Sequence, residues 1–293
     1  MPARAGHPPQ ASDVKALLVR QLAAASQLLD GKHPITDEVV HDARKMMKRA
    51  RASLRVLRDS IGSDAYHLEN ARIRDAAKPL SPVRDAKVIL ETLDDLGAQR
   101  PGRRARRELK WIEQPLRVNR KSVRREFLRS RMPAELVRAL RAVQWHGKRL
   151  HLADSTDASL PTGLTRVYRL GRKAFTRAHA VASDDALHES RKQAKYLAQS
   201  MKVFESIKAR WIGKTVKRAK SIASDLGVDH DLAVLQERIV AFSPAPSPER
   251  EALFAAIAHR RLELRRKAVK KAGKLYRRKV RDFRRRLEKA CTA

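Results

Sequence analysis

Six side chains between residues 41 and 58 recur at alternating steps of three and four: His41, Arg44, Lys48, Arg51, Arg55 and Arg58. At 3.6 residues per turn this rhythm lines them along one side of a helix, with Lys45 beside them. Ala43, Met46, Met47, Ala50, Leu54, Leu57 and Ile61 keep the same rhythm on the other side. Such a helix buries one stripe and presents a row of cations headed by a histidine. The chemistry of that row is anion binding. Guanidinium and ammonium groups donate charge-assisted hydrogen bonds, and an imidazole beside an anion gains a proton. His41 is therefore expected to donate to phosphoryl oxygens.

The row has an echo 147 residues later. His188, Arg191, Lys192, Lys195, Ser200 and Val203 repeat His41, Arg44, Lys45, Lys48, Ser53 and Val56, and Lys202 falls where Arg55 stands. A lone histidine opening a helix reads as a simple cap; two at matched positions, each heading cations, read as ligand contacts. With a shift of 146, Leu80, Asp85, Val88 and Glu91 fall on Leu226, Asp231, Val234 and Glu237. The same shift carries Leu116, Arg120, Lys121, Val123, Arg124 and Arg125 onto Leu262, Arg266, Lys267, Val269, Lys270 and Lys271. A duplicated unit of about half the chain is expected, with these basic helices widening the cationic surface. Asp85 and Asp231 would repel an anion, so they read as orienters of Arg or Lys side chains, or as early-turn helix residues.

Catalysis has no recognisable signature. The chain contains no GxxxxGK[ST], no ExExK and no HExxH pattern. Its ten histidines are scattered, and the five-residue spacing of His146 and His151 suits one helix face poorly. No catalytic residue, metal site or cofactor is expected. The single Cys291 allows no intramolecular disulfide.

The elements that must position these rows are helical. Leu, Ala, Arg, Lys and Glu dominate, only 11 of the 293 residues are Gly, and no convincing period-two run stands out. With 42% hydrophobic residues the chain can bury a core. Residues 1–11 read as a disordered tail and Ser12-Asp13 as the start of a first helix, broken at Gly31-Lys32-His33-Pro34. Thr36-Asp37-Glu38 caps the His41 helix, with acid in the first turn as the macrodipole prefers. Helices follow at Asp64–Lys78, from Ser81-Pro82 to Gly97, from after Gly102 to about Arg131 with a kink at Pro115, and from Met132-Pro133. Small, polar and Pro residues at 153–162 mark a linker between halves of 12–152 and 163–290. The second half is expected to place helices near 163–182, at His188 behind a Ser183-Asp184-Asp185 cap, near 210–225, from Asp229 to Val240, and from Glu249 almost to the end with a break at Gly273. Ile222–Val228 followed by Leu232–Leu235 mimics a helix-turn-helix reader of DNA, but the duplication accounts for it better.

Charge sets the partner class. The chain carries 66 Lys+Arg against 32 Asp+Glu, a formal net charge of +34. A solvated basic surface is the plain reading, and a polyanionic partner the sharper one, because self-repulsion of this size opposes compaction. Aromatics make up 4% of the chain and none is read on the cationic side of the two rows. Single-stranded nucleic-acid binders use aromatic platforms for bases, so cations alone suit a ligand that is all phosphate. Nothing at the N-terminus reads as a signal peptide and no run reads as a membrane span. A soluble protein of a reducing compartment is expected.

The doubled pattern resembles the CHAD (conserved histidine α-helical) domain family. His41-Asp42-Ala43-Arg44-Lys45 with Lys48, Arg51 and Arg55, and His188-Glu189-Ser190-Arg191-Lys192 with Lys195, carry the resemblance. Tyr168-Arg169-Leu170-Gly171-Arg172-Lys173 is similar to the basic helix opening that family's second half. Leu80-Ser81-Pro82-Val83-Arg84-Asp85 is similar to its Leu-Gly-x-x-Arg-Asp stretch. The resemblance implies an all-α fold of two homologous helical bundles related by pseudo-twofold symmetry around a basic groove, and adds Arg84, Arg169 and Arg172 to the candidate contacts. It implies non-catalytic binding of inorganic polyphosphate and, in bacterial relatives, localisation to cytoplasmic polyphosphate granules. It leaves no room for the triphosphate tunnel enzyme to which such domains are sometimes fused. The sequence departs from the family at Lys87 and Ala233, where an acid is usual, at His230, which replaces the motif's Arg, and at Ala198, which replaces the cation matched to Arg51. The second half is thus expected to contribute fewer contacts, with Lys202 and the Arg266, Lys267 and Lys270 helix compensating. Two other readings stay open: a sequence-independent nucleic-acid binder, and a metal-dependent phosphohydrolase.

Overall fold

A computed structural model describes residues 7–98, 103–153, 159–181, 183–242 and 247–292. Among these residues every regular element is a helix. They run α1 (Ala11–Leu28), α2 (Asp37–Ile61), α3 (Ser63–Ala77), α4 (Leu80–Ala98), α5 (Arg103–Arg129) and α6 (Met132–Arg149), then α7 (Ser159–Val181), α8 (Asp184–Met201), a short 3-10 helix (Lys202–Ile207), α9 (Arg210–Phe242), α10 (Pro248–Leu275) and α11 (Val280–Thr292). Residues 1–6 of the 1–11 tail and 154–158 of the 153–162 linker lie outside the described residues; residues 7–10 precede α1, which starts at Ala11, and residues 159–162 are helical.

The two histidine helices start in the same way. The Thr36 hydroxyl accepts from the Val39 amide at 3.3 Å, and the Ser183 hydroxyl accepts from the Ala186 amide at 3.2 Å. Each satisfies one of the orphan N–H groups of a helix start. The acid one residue on is held in both by two arginines of a later helix. Asp37 pairs with Arg120 and Arg124 of α5, the latter at 3.0 Å. Asp184 pairs with Arg261 and Arg265 of α10, the former at 2.7 Å. Arg261 and Arg265 also hold Asp229 of α9 at 3.1 and 2.8 Å.

These matched anchors correct the repeat register. Arg120 and Arg124 correspond to Arg261 and Arg265, an offset of 141, and not to Arg266 and Lys270 at 146. Burial agrees: Leu116 is 1% exposed, Ile257 at offset 141 is 0%, and Leu262 at offset 146 is 48%. Basic helices rich in Arg and Lys align almost equally well in several registers, so only the buried positions discriminate.

Each apolar cluster draws on both halves. The larger one joins α1, α2, α3 and α6 to α7, α8, α11 and the first half of α9, through residues such as Leu18, Leu54, Ile73, Leu140, Leu164, Leu197 and Ile222. The smaller one joins α4 and α5 to the second half of α9 and the first half of α10, through Leu93, Ile112, Leu116, Leu235, Leu253 and Ile257. At Gly163, α7 crosses α2 in close backbone contact. A Cβ at Gly163 would lie 2.2 Å from the Val56 carbonyl oxygen, so only glycine permits that approach.

Several boundaries differ from the sequence expectation. Ser159–Thr162, assigned to the linker, opens α7, and Leu160 and Pro161 are buried. Ser81-Pro82 lies inside α4, which begins at Leu80. Residues 210–242 form one helix, without the break at 225–229 or the helix-turn-helix mimic. Glycine in a helix interior costs only about 1 kcal/mol relative to alanine and keeps its N–H, so Gly227 does not interrupt what Pro79 interrupts in the first half. The C-terminal break falls at Tyr276–Lys279 and not at Gly273. α5 runs through Pro115 as one helix.

Replacement Gly163→Ala is expected to destabilise the protein by about 1–3 kcal/mol through overpacking at the crossing, measured as a drop in the chemical-denaturation midpoint. Asp37→Asn leaves two arginines without their carboxylate and is expected to cost about 1.5–3 kcal/mol in the same measurement.

A candidate anion site where the halves meet

The N-terminal halves of α2 and α8 meet α4 and α9, and the repeated side chains gather there. From α2 come His41, Arg44 and Lys48, from α8 His188, Arg191 and Lys195, from α4 Arg84 and Asp85, and from α9 His230 and Asp231. Arg44 donates to the Ser81 hydroxyl at 2.8 Å, near the start of α4. Its repeat partner Arg191 lies against α9 at Gly227, where an added Cβ would stand 3.5 Å from the guanidinium. Gly227 is the 146-shifted counterpart of Ser81, so the two arginines rest on equivalent turns of equivalent helices. Asp231 stands 3.9 Å from Arg191, an ion pair of the kind anticipated for an orienting carboxylate.

The electrostatics of the cluster are those of cations held together. Burial, then Arg191, Lys48 and Arg44, push the Lys195 ammonium down to about 7, against the pull of Asp231. Burial, then Arg44, Arg191 and Arg84, push Lys48 down to about 8, against Asp85. Lys48 nevertheless keeps an exposed surface; protein surrounds it without covering it, the condition of a group in an open cleft. Burial and then Arg84, Lys45 and Lys48 lower His41. Burial and then His230, Arg191 and Lys192 lower His188. Burial raises Asp231 despite Arg191 and His230. The Nε atoms of Arg44 and Arg191 and the Nδ1 of His188 are buried without a hydrogen-bond partner. Burial and neighbouring cations thus drive both histidines toward neutrality and both lysines toward losing their protons.

The structure separates the remaining candidates from this cluster. Lys45 pairs with Asp42 at 3.1 Å and Lys192 with Glu189 at 2.7 Å, each beside its histidine at the edge. Arg84 also reaches Glu91 at 3.1 Å. Arg51 donates to Asn70 of α3 at 2.9 Å. Arg55 lies over the Tyr196 ring at 3.5 Å. The later cations of the α2 row are therefore taken up by α3 and α8, and Ala52 and Val56 on its flank are buried, the latter where α7 crosses. Those two small apolar residues were the signal in the sequence. Tyr196 is an aromatic against the cationic row, contrary to the expectation of none.

Arg120 and Arg124 are committed to Asp37, while Lys121 is exposed on another face of α5. Lys202 sits in the 3-10 helix, its ammonium lowered by burial and then by Lys220 and Arg49, at the far end of α8. Arg169 is exposed on α7, and Arg172 acts on Tyr168, toward α11. Arg266 and Lys270 are exposed on α10, and Lys267 pairs with Glu263 at 2.5 Å. The compensation expected from these residues is not built into the cluster, and α8 supplies as many cations to it as α2. His230, expected as a loss, stands 4.8 Å from His188, ring to ring, and joins the cluster.

Among the described residues no group of three or more His, Cys, Asp or Glu is arranged to hold a metal ion. Among them, too, no helix is long and apolar enough to cross a membrane.

No curated protein matches the chain. Solved structures share its fold, two of them as follows. PptA from Streptomyces chartreusis superposes with a TM-score of 0.66 at 16% identity, covering 91% of this chain and 99% of its own. The CHAD domain from the plant Ricinus communis superposes with a TM-score of 0.63 at 18% identity, covering 92% of this chain and 96% of its own. At these identities the likeness is one of fold. The profile of the CHAD domain matches residues 16–240, which include both histidine helices and the α4 and α9 segments facing them. This chain belongs to the CHAD domain family.

Proposed function

We propose that this protein binds inorganic polyphosphate, without transforming it, at the junction of α2, α4, α8 and α9, and that it associates with polyphosphate granules. The observation that carries the reading is the pairing of two His-x-x-Arg-x-x-x-Lys rows around the same point. Arg44, Lys48, Arg84, Arg191 and Lys195 gather there against Asp85 and Asp231. A chain of phosphates supplies one negative charge after another to such a row, and each arginine fork matches phosphate oxygens. A linear polyanion can also contact both rows at once, which multiplies modest single contacts. His41 and His188 would regain protons beside it and donate to phosphoryl oxygens.

Isothermal titration of long-chain polyphosphate at ~150 mM salt, where exposed charges are screened beyond roughly 8 Å, tests the reading. Lys48→Ala and Arg191→Ala should each weaken binding by about 1–3 kcal/mol, and His41→Ala with His188→Ala should weaken it as well. Arg120→Ala should cost stability and leave affinity nearly unchanged. Equal affinity for DNA at matched phosphate concentration, or indifference to the junction substitutions, would show diffuse attraction to a basic surface. Shortening of the polymer in Mg²⁺ or Mn²⁺ would show an enzyme.

Binding should also take up protons. Phosphates raise Lys195 and Lys48 from about 7 and about 8 toward their ordinary 10.5, so affinity should fall as pH rises through 7–8. Titration in buffers of different ionisation enthalpy measures the uptake. For the ligand-free protein the sign is opposite. Between about pH 7 and 10.5 the unfolded chain holds more protons at these two lysines, so their contribution makes stability rise with pH across that window.

A further inference from the structure

A cavity of about 370 Å³ opens on the other side of α9. At about 100° per residue, Trp211, Thr215 and Arg218 point away from the side carrying Lys220, Gly227 and Asp231. Seven of the twelve residues lining it are Arg or Lys and none is acidic. They come from three elements: Lys214 and Arg218 from the first turns of α9, Lys274 and Arg277 from the end of α10 and the turn after it, and Arg286 from α11. None of these five is paired with a carboxylate among the described residues.

The walls are built and not merely charged. The Tyr168 hydroxyl donates to the Arg278 carbonyl at 2.9 Å and approaches the Leu275 carbonyl at 3.3 Å, which fixes the turn between α10 and α11 and occupies carbonyls at the C-terminal end of α10. Phe283 stacks on the Tyr168 ring, with centroids 4.0 Å apart and planes 2° from parallel. Trp211 meets Phe283 edge-on at 6.0 Å, and Arg286 lies 4.7 Å over the indole. Three helices are thereby locked around a concavity that collects like charges. The positive end of the α9 macrodipole adds to them.

We infer that this cavity is a second anion site, independent of the α2–α8 junction, for a small molecule carrying several contiguous phosphoryl groups. Its volume is in the range of small-ligand pockets, about 300–1,000 Å³, and excludes a duplex. Compensating so many cations in that space takes a ligand with dense charge, and planar guanidinium forks select phosphate oxygens. Inorganic tripolyphosphate and the triphosphate of a nucleotide share that chemistry.

The test titrates sodium tripolyphosphate, ATP and orthophosphate into the full chain, following heat and the emission of Trp211, with a Trp211→Phe control. A Lys48→Ala/Lys195→Ala variant isolates the cavity from the junction, and a Lys214→Ala/Arg218→Ala variant, at exposed positions, does the converse. Tripolyphosphate should still bind the first variant and shift Trp211 emission. Adding Lys214→Ala/Arg218→Ala should weaken that binding tenfold or more. Equal binding of ATP would assign the site to nucleotides, and preference for tripolyphosphate to inorganic chains; either supports it. Loss of tripolyphosphate binding in the Lys48→Ala/Lys195→Ala variant, insensitivity to Lys214→Ala/Arg218→Ala, or equal binding of orthophosphate would overturn it. Because the junction is tested with long-chain polyphosphate and the cavity with tripolyphosphate in its absence, either site can fail alone.

Discussion

Mutual repulsion among Lys48, Lys195, Arg44, Arg191 and Arg84 is the constraint on which the rest of the structure turns. Burial of these cations, and then their closeness to one another, opposes folding, and the depressed lysines express both costs, burial first. Something else must hold the helices in place. The apolar clusters do so by crossing from one half to the other: Leu54 and Ile73 pack in one cluster with Leu164 and Leu197, and Leu93 and Ile112 in another with Leu235 and Leu253. The halves cannot move apart to relieve the repulsion without exposing both.

The acidic residues are spent in the same service. With 32 carboxylates against 66 cations, their placement decides which cations remain available. Asp37, Asp184 and Asp229 bind four arginines that pin α5 and α10 to the starts of the histidine helices and to α9. Asp85 and Asp231 temper the junction without neutralising it. A cation count along the sequence therefore overstates the site: Arg120, Arg124, Arg51 and Arg55 are structural, and Tyr196 accounts for the last of them.

A functional row and a structural row look alike until one knows what lies opposite. In α2 the first turns face the junction and the later cations meet Asn70 of α3 and Tyr196 of α8, although the cationic spacing runs unbroken from His41 to Arg58. No periodicity encodes those partners, nor the backbone contact at Gly163 that seats α7 on α2. Likewise α10 offered two alignments with α5, and the choice between them rests on which leucine is buried and which arginine reaches an aspartate.

Local chemistry alone determined a good deal of this protein. Helix-forming composition, capping residues at Thr36 and Ser183, and the opposed stripes of α2 and α8 made the all-helical class legible. Duplication of the His41 row at His188 made the core of the candidate cluster legible, because side-chain spacing on a helix is set by its 3.6-residue turn. Tertiary packing decided the rest: that the halves share their cores, that residues 210–242 remain one helix, that His230 joins the site, and that the Arg120 and Arg124 cations serve as anchors. Those outcomes depend on partners distant in sequence, and whether a cation meets a carboxylate, a ring or open solvent is settled only when the helices pack.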